Sequence, residues 1–470
     1  MSKEQLWRWQ ACDLAHAIRT RQISAREAVT SCLDRLEQAN PAINAVVDLL
    51  ADEALLAADR ADKAVAAGEA LGPLHGVPVT YKINMDYAGR PTTNGIVAFK
   101  DNVAKADNPA IANWRRAGAI GIGRTNVPPF SARFFTANAL HGRTLNPWNP
   151  RITPGGSTGG GAAAVAAGIG PLAHGSDRAG SIRYPAYACG ILGLRPTIGR
   201  IPTFNATAAG DPSLTTQITH SQGPLARTVR DLRLGYETMA ERDPRDPWWG
   251  PGLPADHALP RAGRVALFAN NPGGEMDPAI AAALHQAAQW LEDAGYRVEE
   301  AEPPHFEEIA RLFFTLVRSE ERSTTTGAID RLGDDQLRKA RASTMAYAGE
   351  LDYDGYIKAF GRRATILREW LLFLERYPLL LMPVSSLRPV PDDYDQQGDG
   401  AVARMLTSHH PMLAISMLGL PGLAAPTGLA DGVPVGVQLV AGRFREDICL
   451  AAAEVIEARS PAATPIDPRA

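Results

Sequence analysis

Cysteine is scarce in this chain. The four present in 470 residues, Cys12, Cys32, Cys189 and Cys449, lie far apart and form no CxxC pair, so neither a disulfide framework nor a thiolate metal knuckle is expected to organise the fold. Buried free thiols in a reducing compartment are the expectation. Excess charge is lacking too. Forty-eight Lys and Arg against 51 Asp and Glu leave a net charge of -3, too little positive charge to neutralise phosphates or an anionic bilayer. Nucleic acid and membrane are therefore not expected as partners. No apolar run approaches the roughly 18 residues of a membrane span. The opening MSKEQLWRWQACDLAHAIRT intersperses charges where a signal peptide needs an unbroken apolar stretch, and the expected location is the cytoplasm. No linker, charge run or internal repeat divides the chain, so one large core or two intimately packed layers is expected rather than a string of modules.

What is present is an ordinary globular balance, 45% apolar and 21% charged residues, enough to bury a sizeable core. Residues 1–70 read as mainly helical. Ser24 and Glu27 form an S-x-x-E capping box, Ile43, Ala45, Val47 and Leu49 alternate like a strand, and an Ala-rich helix is expected from Glu53 to Ala67. From Gly72 to Pro202 short apolar strands alternate with Gly/Pro/Asn/Thr-rich turns, the texture of an α/β fold with working loops. There Asn108 and Pro109 suit an N-cap and first helical position, and Gly118 ends that helix before the strand AIGIG. The stretch 231–377 carries amphipathic helical patterns and one strand candidate, RVALF. In 378–470, PLLLMPV is followed by two apolar runs joined by Asp431-Gly432, a strong hairpin signal, and a closing helix from about Arg445 to Ala458.

Two loops carry chemistry. TPGGSTGGGAAA, residues 153 to 164, is Gly-rich and runs into a helix, but it lacks the GK[ST] ending of a phosphate-binding loop and does not match GxGxxG after a strand. HGSDRAGSIRYPA places Ser181 after Gly180 and ahead of a helix-compatible run. A serine there is a simple helix cap, or it presents its hydroxyl beside backbone N–H groups able to hold an oxyanion. A nucleophilic serine needs a base. Of ten histidines, including His75, His141, His174, His220 and the pair His409-His410, none sits in a GxSxG elbow or is otherwise singled out. Lysine serves when desolvation makes it neutral near pH 7, and Lys82 ends the apolar, β-branched GVPVTYK.

The order and spacing of these features resemble the amidase signature hydrolases. The pattern of that family is a lysine after GVPV(T/S), a GGSSGG-type serine and then a G(T/S)DxGGSIR serine. The matching residues here are Lys82, Ser157 and Ser181. The resemblance runs through GPLHGVPVTYK, RTNVPPF, HGRTLNPWNPRITPGGSTGGGAAAVAAG, GSDRAGSIRYPAYACGILGLRPTIGRIP, QGPLARTVRDL and GLPGLAAPTGLADGVPVGVQLVAG, nearly the whole chain. It implies an α/β amidase signature fold, a large mixed central β-sheet sandwiched between helices on both faces, formed by a single domain over 1–470 with a helical 1–70, a catalytic core at 72–230, a variable helical 231–377 and a return to the core at 378–470. It implies Ser181 as nucleophile, Ser157 as bridging serine after a cis Gly156-Ser157 peptide, and Lys82 as base. The amides of Arg178, Ala179, Gly180 and Ser181 match the oxyanion-hole loop, and Asp177 and Arg183 its bracing pair. The implied reaction is hydrolysis of a carbon–nitrogen amide bond through an acyl-enzyme. The partner would be a small or medium non-peptide amide, with no cofactor and no metal, and a homodimer is compatible with it.

Three departures from the family pattern stand out. Lys82 is followed by Ile83-Asn84 where KDN is common. Val127-Pro128-Pro129-Phe130 replaces MPEF, and Arg178-Ala179 replaces the usual x-Gly. Losing the acid beside the lysine suits a neutral base. The Arg-Ala arrangement resembles members similar to 6-aminohexanoate cyclic-dimer hydrolases and opens the question of cyclic or linear non-peptide amides, with Arg178 facing a substrate carboxylate or a structural partner. The alternatives are the amidase subunit of a tRNA-dependent amidotransferase and a non-catalytic binding protein of the same fold. Pocket walls are expected from Phe204 to His220 and the helical middle. For Phe134, Phe135, Phe313, Phe314 and Tyr347 core packing is favoured over lining that pocket.

Overall fold

The computed structural model describes residues 3–208, 210–253, 263–321, 326–461 and 463–469. In chain order the strands are β1 (Val46–Leu49), β2 (Pro78–Lys82), β3 (Ile120–Thr125), β4 (Ala137–Asn138), β5 (Gly142–Arg143), β6 (Leu172–Asp177), β7 (Leu192–Arg195), β8 (Ser221–Ala226), β9 (Arg264–Leu267), β10 (Arg297–Glu300), β11 (Leu379–Pro383), β12 (Gly422–Ala430) and β13 (Val433–Ala441). Among the described residues, β4 and β5 pair alone and the other 11 form one sheet, ordered β1-β3-β2-β6-β8-β7-β12-β13-β11-β9-β10. The sheet is mixed. β2 lies parallel to both β3 and β6, β11, β9 and β10 run parallel to one another, and the remaining neighbours are antiparallel.

Strands β2, β6, β7, β8 and β11 are buried along their whole length because helices cover both faces of the sheet. Alternation assigns the faces. In β11, Leu379 and Leu381 join one hydrophobic core while Leu380 and Met382 join another, and in β13 Leu439 and Val440 divide in the same way. The first core includes residues of helices Ala25–Ile43, Pro109–Arg116, Val229–Met239, Pro278–Asp293 and Glu446–Glu457. The second includes residues of Phe306–Glu321, Tyr353–Arg376 and His410–Leu418. None of the described helices is long and apolar enough to cross a membrane.

Local signals set most boundaries. The capping box forms, with Ser24 Oγ accepting from the Glu27 amide at 3.0 Å and Glu27 Oε2 accepting from the Ser24 amide at 2.7 Å. Asn108 caps helix Pro109–Arg116, and Asp431 and Gly432, both at positive φ, close the β12–β13 hairpin. The expected strand from Ile43 starts later, at Val46. Asn44 adopts φ +47 and its amide closes on Asn40 O at 2.7 Å, so Ile43 completes the helix instead. The helical reading of 231–377 needs a second strand besides RVALF. β10 extends the sheet at its edge, where its partly exposed Arg-Val-Glu-Glu shows no apolar alternation. Cys32, Cys189 and Cys449 are buried free thiols, whereas Cys12 is half-buried.

Trp114 anchors the side of the sheet that carries β2. Its ring is fully buried, lies 6.1 Å from that of Tyr81 in β2, and donates from Nε1 to Gly235 O at 2.9 Å. Trp114→Ala should cost about 3–5 kcal/mol in chemical denaturation, with Trp114→Phe restoring most of it. A loss below about 1 kcal/mol would contradict this packing account.

Candidate active site

The site assembles where β2 and β6 end side by side. Lys82 is the last residue of β2, a strand buried along its whole length, and its side chain is fully enclosed. Its Nζ donates to Ser157 Oγ at 2.8 Å, to Ser176 Oγ at 3.0 Å and to Ser176 O at 3.5 Å. Burial pulls the Lys82 pKa down from its ordinary 10.5 to about 7, with the charge of Asp177 opposing the shift. Ile83 is buried at the position where the family pattern has an acid, so no carboxylate next in sequence holds the proton on.

Ser157 lies in the loop ahead of helix Gly159–Ala166 and follows a cis Gly156–Ser157 peptide, as the resemblance implies. The loop is tied down on both sides. Thr136 Oγ1 donates to Gly155 O at 2.9 Å, Gly155 N donates to Thr153 Oγ1 at 3.0 Å, and Thr158 N donates to Ser181 O at 3.2 Å. Gly156 is required by space. A Cβ there would meet the Arg133 carbonyl at 2.5 Å and the Phe135 amide nitrogen at 2.6 Å.

Ser181 follows the turn that leaves β6 and precedes helix Arg183–Cys189. Asp177 organises this turn. Its carboxylate accepts from Arg183 Nε and Nη2, each at 3.0 Å, and from the Gly180 amide at 2.8 Å. Arg195 Nη1 donates to its carbonyl at 2.7 Å. All three charged side chains are fully buried. Burial alone would raise the carboxyl, but Arg183 and Arg195 overcome it and hold Asp177 well below the usual carboxylate range. Arg183 also donates to Gln438, Ser416 and the Met412 carbonyl, which fastens the turn to β13 and helix His410–Leu418.

The expected oxyanion loop spans Arg178, Ala179, Gly180 and Ser181. The N–H of Gly180 is already committed to Asp177. Those of Ala179 and Ser181 have no hydrogen-bond acceptor among the described residues. Gly180 serves by conformation, with φ +112, and by size, since a Cβ would meet Met412 Sδ at 2.5 Å. Ser181 Oγ makes no hydrogen bond among the described residues and is not sealed from solvent. Lys82 and Ser157 are thus joined, and Ser181 stands at the open end of the group with its hydroxyl free to turn.

Ser176 and Arg195 were not singled out by sequence. Ser176 lies inside the GSD motif, and Arg195 arrives only because β7 is placed two strands from β6. Arg178 lies with its guanidinium 5.9 Å from the Phe313 ring centre. Phe135, Phe313 and Phe314 are core residues, as favoured. Phe134 and Tyr347 are half-buried, the first packed on His409 and the second bonded through its hydroxyl to His410 Nε2 at 2.7 Å. In the altered Val127–Phe130 segment, Phe130 and the following Ser131 both adopt positive φ.

The family model described as Amidase matches residues 27–450. Indoleacetamide hydrolase of Bradyrhizobium diazoefficiens is 45% identical over 460 residues, covering 97% of this chain and 88% of that protein. A glutamyl-tRNA(Gln) amidotransferase subunit of Heliobacterium modesticaldum is 32% identical over 455 residues, covering 91% of each. Among solved structures, 6-aminohexanoate cyclic dimer hydrolase complexed with substrate aligns with a TM-score of 0.83 at 26% identity over 98% of both chains.

Asp177→Asn would leave Arg183 and Arg195 buried beside a neutral amide. Breaking a buried pair from one side costs about 3–5 kcal/mol, so denaturation of this variant should show a loss of that size. Stability within about 1 kcal/mol of the parent would mean that the carboxylate does not brace the turn.

Proposed function

Because the chain belongs to the amidase signature family and hydrolyses carbon–nitrogen amide bonds, we propose that Ser181, Ser157 and Lys82 perform this reaction on small arylacetamides, releasing a carboxylic acid and ammonia. The observation that carries the reading is the enclosed Lys82 Nζ within 2.8 Å of Ser157 Oγ, next to the turn that presents Ser181. Neutral Lys82 takes a proton from Ser157, and Ser157 takes one from Ser181 as its oxygen attacks the amide carbon. The N–H groups of Ala179 and Ser181 receive the developing oxyanion. The relay then runs backward and protonates the nitrogen, the C–N bond breaks and ammonia departs. Water attacks the acyl-Ser181 ester, giving its proton to the same chain and restoring the hydroxyl.

The substrate class rests on relatedness weighed by degree. Indoleacetamide, named for the Bradyrhizobium relative, is an arylacetamide, and that relative shares 45% of residues over 97% of this chain. The cyclic dimer hydrolase shares 26% and the Heliobacterium amidotransferase protein 32%.

Ser181→Ala should lose on the order of 10⁴-fold or more in kcat, and Lys82→Ala nearly as much, because members of a relay fail as a unit. Ammonia release from indole-3-acetamide measures both, and near-parent activity of either variant would overturn the assignment. For the parent enzyme kcat/KM should rise as pH rises through about 7, where Lys82 loses its proton. A flat profile between about pH 5 and 9 would contradict Lys82 as the base.

A further inference from the structure

The pleat of the sheet places a second polar row beside the reacting groups. Ser176 of β6 stands directly opposite Gln222 of the antiparallel β8. Ser176 Oγ meets Lys82 Nζ, and Gln222 Oε1 meets His174 Nε2 at 2.6 Å. His174, Ser176 and Gln222 therefore project on one face. One step further along that face comes His220, while Arg178 lies in the bend that follows β6. Asp177 pairs with Ser221, and His220 precedes it with extended backbone, φ -81 and ψ 128. His220 thus flanks the turn that carries Ser181.

Its ring differs from those of the other histidines near the site. Both nitrogens of His409 and Nδ1 of His174 are sealed from solvent and unpaired, whereas neither nitrogen of half-buried His220 is sealed. Among the described residues the His220 ring makes no hydrogen bond. Burial first, and then the charges of Lys82, Arg195 and Arg178, push its pKa down to about 3. It is a neutral imidazole, deep yet reachable, with one acceptor and one donor unused.

The proton relay decides which part of a substrate meets this ring. Ser157 and Lys82 approach from the β2 side and must reach the leaving nitrogen. The strand order β2-β6-β8 puts His220 on the β8 side of the turn, across β6 from the strand that carries Lys82. We propose that His220 hydrogen-bonds a donor on the acyl group, so that the enzyme prefers amides whose acyl moiety carries an N–H or O–H over those with a hydrocarbon acyl moiety. A hydrocarbon would cover the imidazole and leave it unpaired, which is the basis on which polar sites discriminate. The inference rests on Ser181 as nucleophile and on arylacetamides as substrates.

The test compares indole-3-acetamide with naphthalene-1-acetamide, a bicyclic amide without the ring N–H, as a ratio of kcat/KM within each enzyme. The parent should favour the indole by about tenfold, His220→Leu should bring the ratio close to one, and His220→Gln, which retains an acceptor, should keep most of it. A within-enzyme ratio is unaffected by the fraction of folded protein. The same preference in parent and His220→Leu, or none in the parent, overturns the role of His220 while leaving the arylacetamide reading intact. Turnover of neither amide by parent protein that still forms a sulfonyl adduct at Ser181 refutes that reading and the inference with it.

Discussion

An amine sealed at the end of a buried strand is the constraint on which the rest of the site depends. Lys82 is enclosed on all sides, and its hydrogen bonds go to serine oxygens rather than to a carboxylate. Desolvation without a direct counter-ion is what lowers a lysine into the range where it can accept a proton. The cost falls on folding. The unfolded chain holds this proton until near 10.5 and the folded chain releases it near 7, so the contribution of Lys82 to stability rises with pH across that window. A surrounding fold of this size, with two cores and a sheet closed over by helices, is what makes such a residue tolerable.

The turn after β6 meets the opposite problem. There a carboxylate is buried, and two arginines from different elements keep it charged. The two devices are neighbours, since Asp177 is the charge that opposes the lowering of Lys82, and they serve different ends. One lysine is kept free of close negative charge so that it can titrate. One aspartate is surrounded by positive charge so that it cannot, and it spends its oxygens on the Gly180, Ile182 and Arg183 amides and on the Arg183 guanidinium. The Ala179 and Ser181 amides have no acceptor among the described residues. Arg178-Ala179 in place of a glycine-rich pair is accommodated because the residue at positive φ in this turn is Gly180, which is unchanged.

Much of this was legible in the sequence. Lys82, Ser157 and Ser181 lie in long motifs of fixed order, and capping, hairpin and breaker signals at Ser24, Asn108, Gly118 and Asp431-Gly432 act over a few residues, so local chemistry fixes them. What escaped depends on contacts distant along the chain. Arg195 meets Asp177 through strand order. The commitment of the Gly180 amide is a matter of angles that residue types do not specify. β10 at the sheet edge buries too little to show a pattern.

The relay requires Lys82 to lose its proton near neutral pH. Heteronuclear NMR of protein labelled at lysine Nζ, with Lys82→Ala used to assign the resonance, titrates that group in the folded enzyme directly. The expected midpoint is near 7. A midpoint above about 9, close to the value for an ordinary solvated lysine, would contradict it.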